Sequence, residues 1–198
     1  DMVDAAAGYR IGEGEQIVVP ENAVELGGLD GFRMEIEMGL DAVGEEGVFL
    51  FVPGMMTAEV LEDGHVVFGL ETENGLFEVE STEPVFGDTE SRNLAILYDA
   101  EKSALEMYAD NEIVGTAFAR GETEDTPGGP ITIGGPPEDS LNAWVESFSF
   151  ASGPEPDADT YDMPIVPQTD ATLEELAAEQ MMQEEDDEDS GASAQMVA

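Results

Sequence analysis

The chain has no cysteine, only five basic residues and a single histidine, and each shortage removes a class of function. Without thiols there is neither a disulfide nor a thiolate metal site. That absence fits the cytosol, and it also fits an exported protein that avoids thiols. A Ser-His-Asp triad needs its imidazole set near a nucleophile, and a zinc centre needs further nitrogen or sulfur ligands, of which the chain has no Cys and no second His. His65, directly after Asp63-Gly64, reads as the flank of a hairpin turn. Five Lys and Arg against 47 Asp and Glu leave a formal net charge of -42. Nucleic acid and anionic membrane surfaces bind through cations that displace counterions, so both are set aside as partners. No apolar run reaches the roughly 18 residues that span a bilayer, so no membrane insertion is expected. The attractive partners left are cations, cationic proteins and neutral polymers such as glycans. Asp1 opens the sequence with neither Met nor a hydrophobic signal segment, so the chain is expected to be processed or to be part of something longer.

Self-repulsion at this charge destabilises a compact domain unless ions screen it. The Debye length falls from about 10 Å at 0.1 M salt to about 3 Å at 1 M. With Lys102 the sole lysine, the composition points to a protein working in brine, seawater or calcium-rich surroundings, or to an acidic surface kept for solubility.

What is present is a strand pattern. The 198 residues, 41% of them hydrophobic, suffice for one domain of ordinary size with tails. Asn93–Tyr98, Ser103–Ala109 and Ile113–Phe118 read as a meander, with turns at Asp99–Lys102 and Asp110-Asn111, where Asp and Asn bond their own backbone. Phe32, Met34, Ile36 and Met38 alternate with Arg33, Glu35 and Glu37, whereas Gly47–Val52 is apolar on both faces, as a central strand is. Asp63-Gly64 and Asn74-Gly75 join the runs Thr57–Leu61, Val66–Leu70 and Leu76–Glu80 into a second meander. Turn signals at this spacing predict an all-β sandwich or barrel.

Residues 1–16 read as a lead-in with at most one edge strand, and 153–169, with four prolines between Gly153 and Pro167, as a linker or a strap lying on the sandwich. Residues 170–184 carry a capping-box pair, Thr172 and Glu175, with Leu173, Leu176, Ala177 and Gln180 on one face, and predict a short amphipathic helix. The acidic run from Glu184 places residues 185–198 in a disordered tail.

Tyr98-Asp99, followed by Leu105-Glu106-Met107-Tyr108-Ala109-Asp110-Asn111, Pro130–Gly135 and Leu141–Phe150, resembles, in that order, the core motifs of laminin G-like modules among the concanavalin A-like jelly rolls. The likeness covers roughly Gly31 to Ser152. The chain departs from it at Ser91-Arg92, where a Trp-His pair is usual, at Asn111 for the turn glycine, and at Ala143 and Glu146 in the closing strand. The resemblance implies a two-sheet antiparallel jelly-roll sandwich, residues 1–152. It also implies a non-catalytic, secreted or surface-borne recognition or adhesion module that binds glycan or protein through its rim loops, with calcium (Ca2+) assisting.

Trp144 is read either as a sugar-stacking platform or as a buried core closer. Tyr108, Asp110 and Asn111 join it as candidate ligand-binding residues. Hard cations take 6 to 8 oxygen ligands, and the loop acids Asp88, Asp99 and Asp110 are the candidates for a metal. Two other functions compete with recognition. One is a structural subunit of an extracellular or virion-like assembly, a homo-oligomer packed through the jelly roll and the C-terminal helix. The other is a glycan-cleaving enzyme, because Glu35 and Glu37 sit two apart on one strand, as paired glycosidase carboxylates do. Neither Gly39 nor Leu40 supplies the remaining acid of that pattern, so no catalysis is expected.

The charge balance generates a first prediction. Melting temperature rises with salt, and calcium and sodium at matched ionic strength separate the causes. An equal rise with both assigns the acidity to screening, and a larger rise with calcium assigns it to a specific site.

Overall fold

In a computed structural model of the chain, residues 8–20, 23–125, 127–154 and 160–163 are described, and Tyr9–Ile165 form one compact unit. The expected helix at 170–184 and tail at 185–198 lie outside the described residues.

The unit is an all-β jelly-roll sandwich of two antiparallel sheets. One sheet has the order β1 (Tyr9–Ile11), β12 (Ala143–Ala151), β3 (Gly31–Leu40), β8 (Arg92–Asp99), β9 (Ala104–Ala109), β10 (Glu112–Phe118), with β13 (Thr160–Asp162) also on β12. The other has the order β2 (Ile17–Val18), β11 (Thr132–Ile133), β4 (Gly47–Val52), β5 (Met56–Val60), β6 (Val66–Thr72), β7 (Gly75–Glu80). The chain changes sheets after β1, β2, β3, β7, β10 and β11, which interleaves the two meanders into the jelly roll.

Alternation of side chains fixes the register, since a one-residue slip would turn every apolar side chain outward. Phe32, Met34, Ile36 and Met38 of β3 are fully buried, and the strand is paired with β8 over Gly31–Met38 and with β12 over Arg33–Leu40. Phe32 sits at the centre of the core. It stacks on Phe150 at 5.5 Å and 20°, tilts against Tyr98 at 5.8 Å, and reaches Phe68 of the opposite sheet at 6.3 Å. Tyr98 donates its phenol hydrogen bond to the Gly121 carbonyl, and burial pushes its ionisation up to about 12. Asp99 Oδ1 accepts from Glu101 N and Lys102 N, so the Tyr98-Asp99 pair joins a core anchor to the turn that follows it.

The hairpin between β9 and β10 turns on Asp110 and Asn111, at φ 49° and 69°. Both central residues are left-handed, as a type I′ turn requires, and Asn at 111 adopts that conformation with little cost.

Three segments differ from the sequence reading. Of Pro130–Gly135, only Thr132 and Ile133 pair, because Pro130 has no N–H and the chain turns away at Gly134. A short 3-10 turn, Pro137–Asp139, interrupts the β pattern before β12. Within the strap, Thr160–Asp162 join the sheet beside Ser149–Ala151, and Met163 closes over the core at 5% exposure, so the sheet continues past residue 152.

Replacing Phe32 with Ala removes the ring that bridges both layers. Urea unfolding is expected to show a loss of about 3–5 kcal/mol, and a loss under about 1 kcal/mol would contradict this packing.

Candidate functional site

Two surfaces gather polar side chains, one on the outer face of each sheet. The sequence candidates lie on the seven-stranded sheet. Register places Ser147, Glu37 and Asn93 side by side on β12, β3 and β8. Asp110 completes that row, since its Oδ1 accepts from Asn93 N at 3.0 Å. Tyr108 stands beside Ala95, on the outer face of β9, and its hydroxyl donates to Glu106 Oε2 at 3.1 Å. Trp144 is on the outer face too, three strands away from β9, paired with Arg10 and Gly39. It is half-buried, neither the core closer nor a free platform, and its buried indole N–H has no acceptor among the described residues. Tyr108 and Trp144 therefore share the outer face of this sheet, with Asp110 and Asn111 in the turn at its end, and Trp144 stands apart from the other three.

The metal candidates do not form one ligand set. Asp88 and Asp110 converge on Arg92, whose guanidinium lies 3.0 Å from Asp88 Oδ2, 3.0 Å from Glu90 Oε2 and 3.7 Å from Asp110 Oδ2. Asp99 lies at the other end of β8, opposite Gly31, with its Oδ1 occupied by turn amides. Among the described residues no group of three His, Asp or Glu is placed to hold a metal ion. Arg92 is the cation that Asp88, Glu90 and Asp110 face.

Glu35 and Glu37 both project outward from β3, beside Ser149 and Ser147. The carboxyl of Glu37 meets that of Glu146, which the β12 bulge between Val145 and Ser147 turns toward it. Partial burial, then Glu146, then Asp110 hold Glu37 above the ordinary carboxyl value of 4.5.

The second surface, on the six-stranded sheet, was not singled out in the sequence. Register sets Phe51, Thr57, Gly69 and Glu78 in one row across β4, β5, β6 and β7. Glu59 pairs with Val67 on one side of that row, and Glu71 with Leu76 on the other. Strands about 4.8 Å apart make the row roughly 14 Å long. Its middle is low because Thr57 and Gly69 are small, while Phe51, Val67 and Leu76 stand as walls. The result is a groove of about 320 Å3.

Gly69 is the key to the groove. Gly115, in β10, has a structural need to be glycine, because a Cβ there would lie 2.8 Å from the Glu80 carbonyl. Gly69 has no such need. A Cβ would meet only Leu76 Cδ1 at 3.7 Å, Glu78 Cγ at 3.9 Å and Thr57 O at 3.9 Å, ordinary contacts in backbone that any residue adopts. Glycine inside a strand costs about 0.5–1 kcal/mol relative to Ala, and it marks places where something approaches the backbone closely. Glu59 is half-buried at the groove's edge. Burial, then the negative charges of Asp139, Glu78 and Glu46, raise its carboxyl above 4.5.

No family model matches the chain, and no curated protein sequence matches it. The fold is similar to the binding domain of botulinum neurotoxin DC in complex with SialylT, with a TM-score of 0.55 at 14% identity over 72% of this chain and 37% of that one. It is similar to the Ruminococcus gnavus IT-sialidase CBM40 bound to alpha2,3 sialyllactose, with a TM-score of 0.52 at 14% identity over 70% of this chain and 87% of that one. A further match is the neurotoxin DC binding domain in complex with rat synaptotagmin II, with a TM-score of 0.52 at 12% identity over 72% of this chain and 37% of that one. The chain thus spans a little over a third of the neurotoxin binding domains and most of the CBM40. Identities this low establish a shared β-sandwich fold.

The two raised carboxyls predict a pH dependence. An acid whose folded value is raised binds more protons folded than unfolded, so its contribution is complete below pH 4.5 and lost as pH rises through the elevated folded value. Tm is expected to rise as pH falls from 7 toward 5. Glu37→Gln is expected to raise Tm at pH 7 more than the exposed control Glu112→Gln, and equal effects would assign the slope to net charge alone.

Proposed function

We propose that the chain is a non-catalytic recognition module that binds a glycan in the groove on its six-stranded sheet. The observation that carries this reading is Gly69. A strand-centre glycine that the protein's own packing does not require leaves a recess flanked by apolar walls and by the carboxylates of Glu59, Glu71 and Glu78. Sugar rings present an apolar C–H face and a hydroxyl edge, which suits a recess where Phe51, Val67 and Leu76 alternate with carboxylate acceptors. The recess is within the usual size of small-ligand sites, about 300–1,000 Å3. A protein partner needs about 800 Å2 per side, which favours glycan over protein here. The similar folds named as sialyllactose complexes support a binding role for this architecture in those proteins. Calcium has no part in the proposal, because Asp88 and Asp110 face Arg92 and Asp99 lies at the opposite end of β8. A secreted or surface location, and a working environment of high salt, accord with glycan binding and with the charge of -42.

The test is a glycan array followed by calorimetry. Wild type is expected to bind at least one oligosaccharide saturably, and Gly69→Val to weaken it by at least about tenfold with a melting temperature no lower than wild type. Binding that Gly69→Val leaves intact, or that Trp144→Ala abolishes, would move the site to the other sheet and contradict the proposal.

A further inference from the structure

The groove carries charge of one sign. Glu59, Glu71 and Glu78 reach it from three adjacent strands, β5, β6 and β7, and among the described residues no Lys, Arg or His lines it. A sialic acid carboxylate entering here would find no cationic partner and three like charges. It would also enter against the field of the whole chain, with its 47 acidic residues and 5 basic ones. A cation on an otherwise uncharged ligand meets the opposite situation.

We propose that the groove selects oligosaccharides of amino sugars with free, protonated amines, and discriminates against sialylated ones; this deepens the glycan-binding reading above and rests on it. The amines are held by Glu78, Glu71 and Glu59, and the C–H faces of the rings lie on Phe51, Val67 and Leu76 over the floor made by Thr57 and Gly69. Glu78 has the central part, being the acid in register with Gly69 itself. Its side chain stands 3.9 Å from the point where a Cβ on Gly69 would be, so a ring seated in the recess touches it directly. Glu71 and Glu59 lie one row to either side, matched to amines on successive rings. A nearby cation also relieves the repulsion of Glu59 by Asp139, Glu78 and Glu46, which adds to burial in raising the Glu59 carboxyl.

The experiment is calorimetric titration of the full chain with three probes, in buffer acidic enough to keep sugar amines protonated and at about 0.1 M salt, where charges beyond about 10 Å are screened. The probes are chitobiose with both amines free, its N,N′-diacetyl form, which is neutral, and alpha2,3 sialyllactose. The free-amine disaccharide is expected to bind at least about tenfold more tightly than the diacetyl form, and sialyllactose not at all. Glu78→Gln is expected to weaken the free-amine sugar about tenfold while changing the diacetyl form less than about twofold. Gly69→Val is expected to abolish both.

Equal affinity for the free-amine and diacetyl forms, both lost in Gly69→Val, would overturn the charge selection and leave the glycan reading standing. Free-amine binding that survives Gly69→Val would reduce the effect to attraction by the acidic surface at large, and overturn the proposal. Binding of neither disaccharide, with a basic peptide binding in a Gly69→Val-sensitive way, would overturn both readings in favour of a protein partner.

Discussion

The contact on which the rest of this structure depends is that of Phe32 with three aromatic neighbours. Phe150 and Tyr98 flank it within its own sheet and Phe68 meets it from the other, so one side chain ties β3 to β12 and β8 and both to β6. Aromatic burial of this kind contributes beyond its area because edge and face contacts are oriented. It holds the two layers in fixed relation while their outer faces carry charge that repels itself. The alternation of β6 follows directly from it. With Phe68 and Leu70 turned inward, Val67, Gly69 and Glu71 must face out, and the groove lies there.

The fold was legible in the sequence because strands with one wet face write their burial in a period of two. Phe32–Met38 and Leu105–Ala109 show it without interruption, and Gly47–Val52 shows the other signature, that of a central strand. The short pairings were harder to read. Tyr9–Ile11 and Thr160–Asp162 each cover only part of β12, and a three-residue strand has too little sequence for periodicity to register. Tyr98-Asp99 and Asp110-Asn111 were legible as motifs, and the structure supplies their reasons: a phenol anchored on Gly121 and a pair of left-handed residues.

The site was less legible, for a physical reason. Attention in a chain of this composition goes to Trp144 and to turn acids, yet those acids are already bonded to backbone amides, Asp88 and Asp99 within their own turns and Asp110 across to Asn93 of β8. The groove depends on what is missing from one position, and on residues far apart in sequence, Phe51, Gly69 and Glu78, that register alone brings into a row. The one local clue was a glycine at the outward position of an otherwise regular strand. The acidity has a different standing on each face. On the seven-stranded sheet Arg92 gathers Asp88, Glu90 and Asp110 into an ion-pair cluster, whereas the groove acids have no such cation beside them.

The most direct test of the proposed groove is the mapping of backbone amide shifts during titration with either disaccharide. The account predicts that the largest changes fall on Thr57, Val67, Gly69 and Glu78, with the Asn93 and Asp110 amides still. Changes centred on Asn93, Asp110 and Trp144, with the six-stranded sheet unmoved, would contradict it.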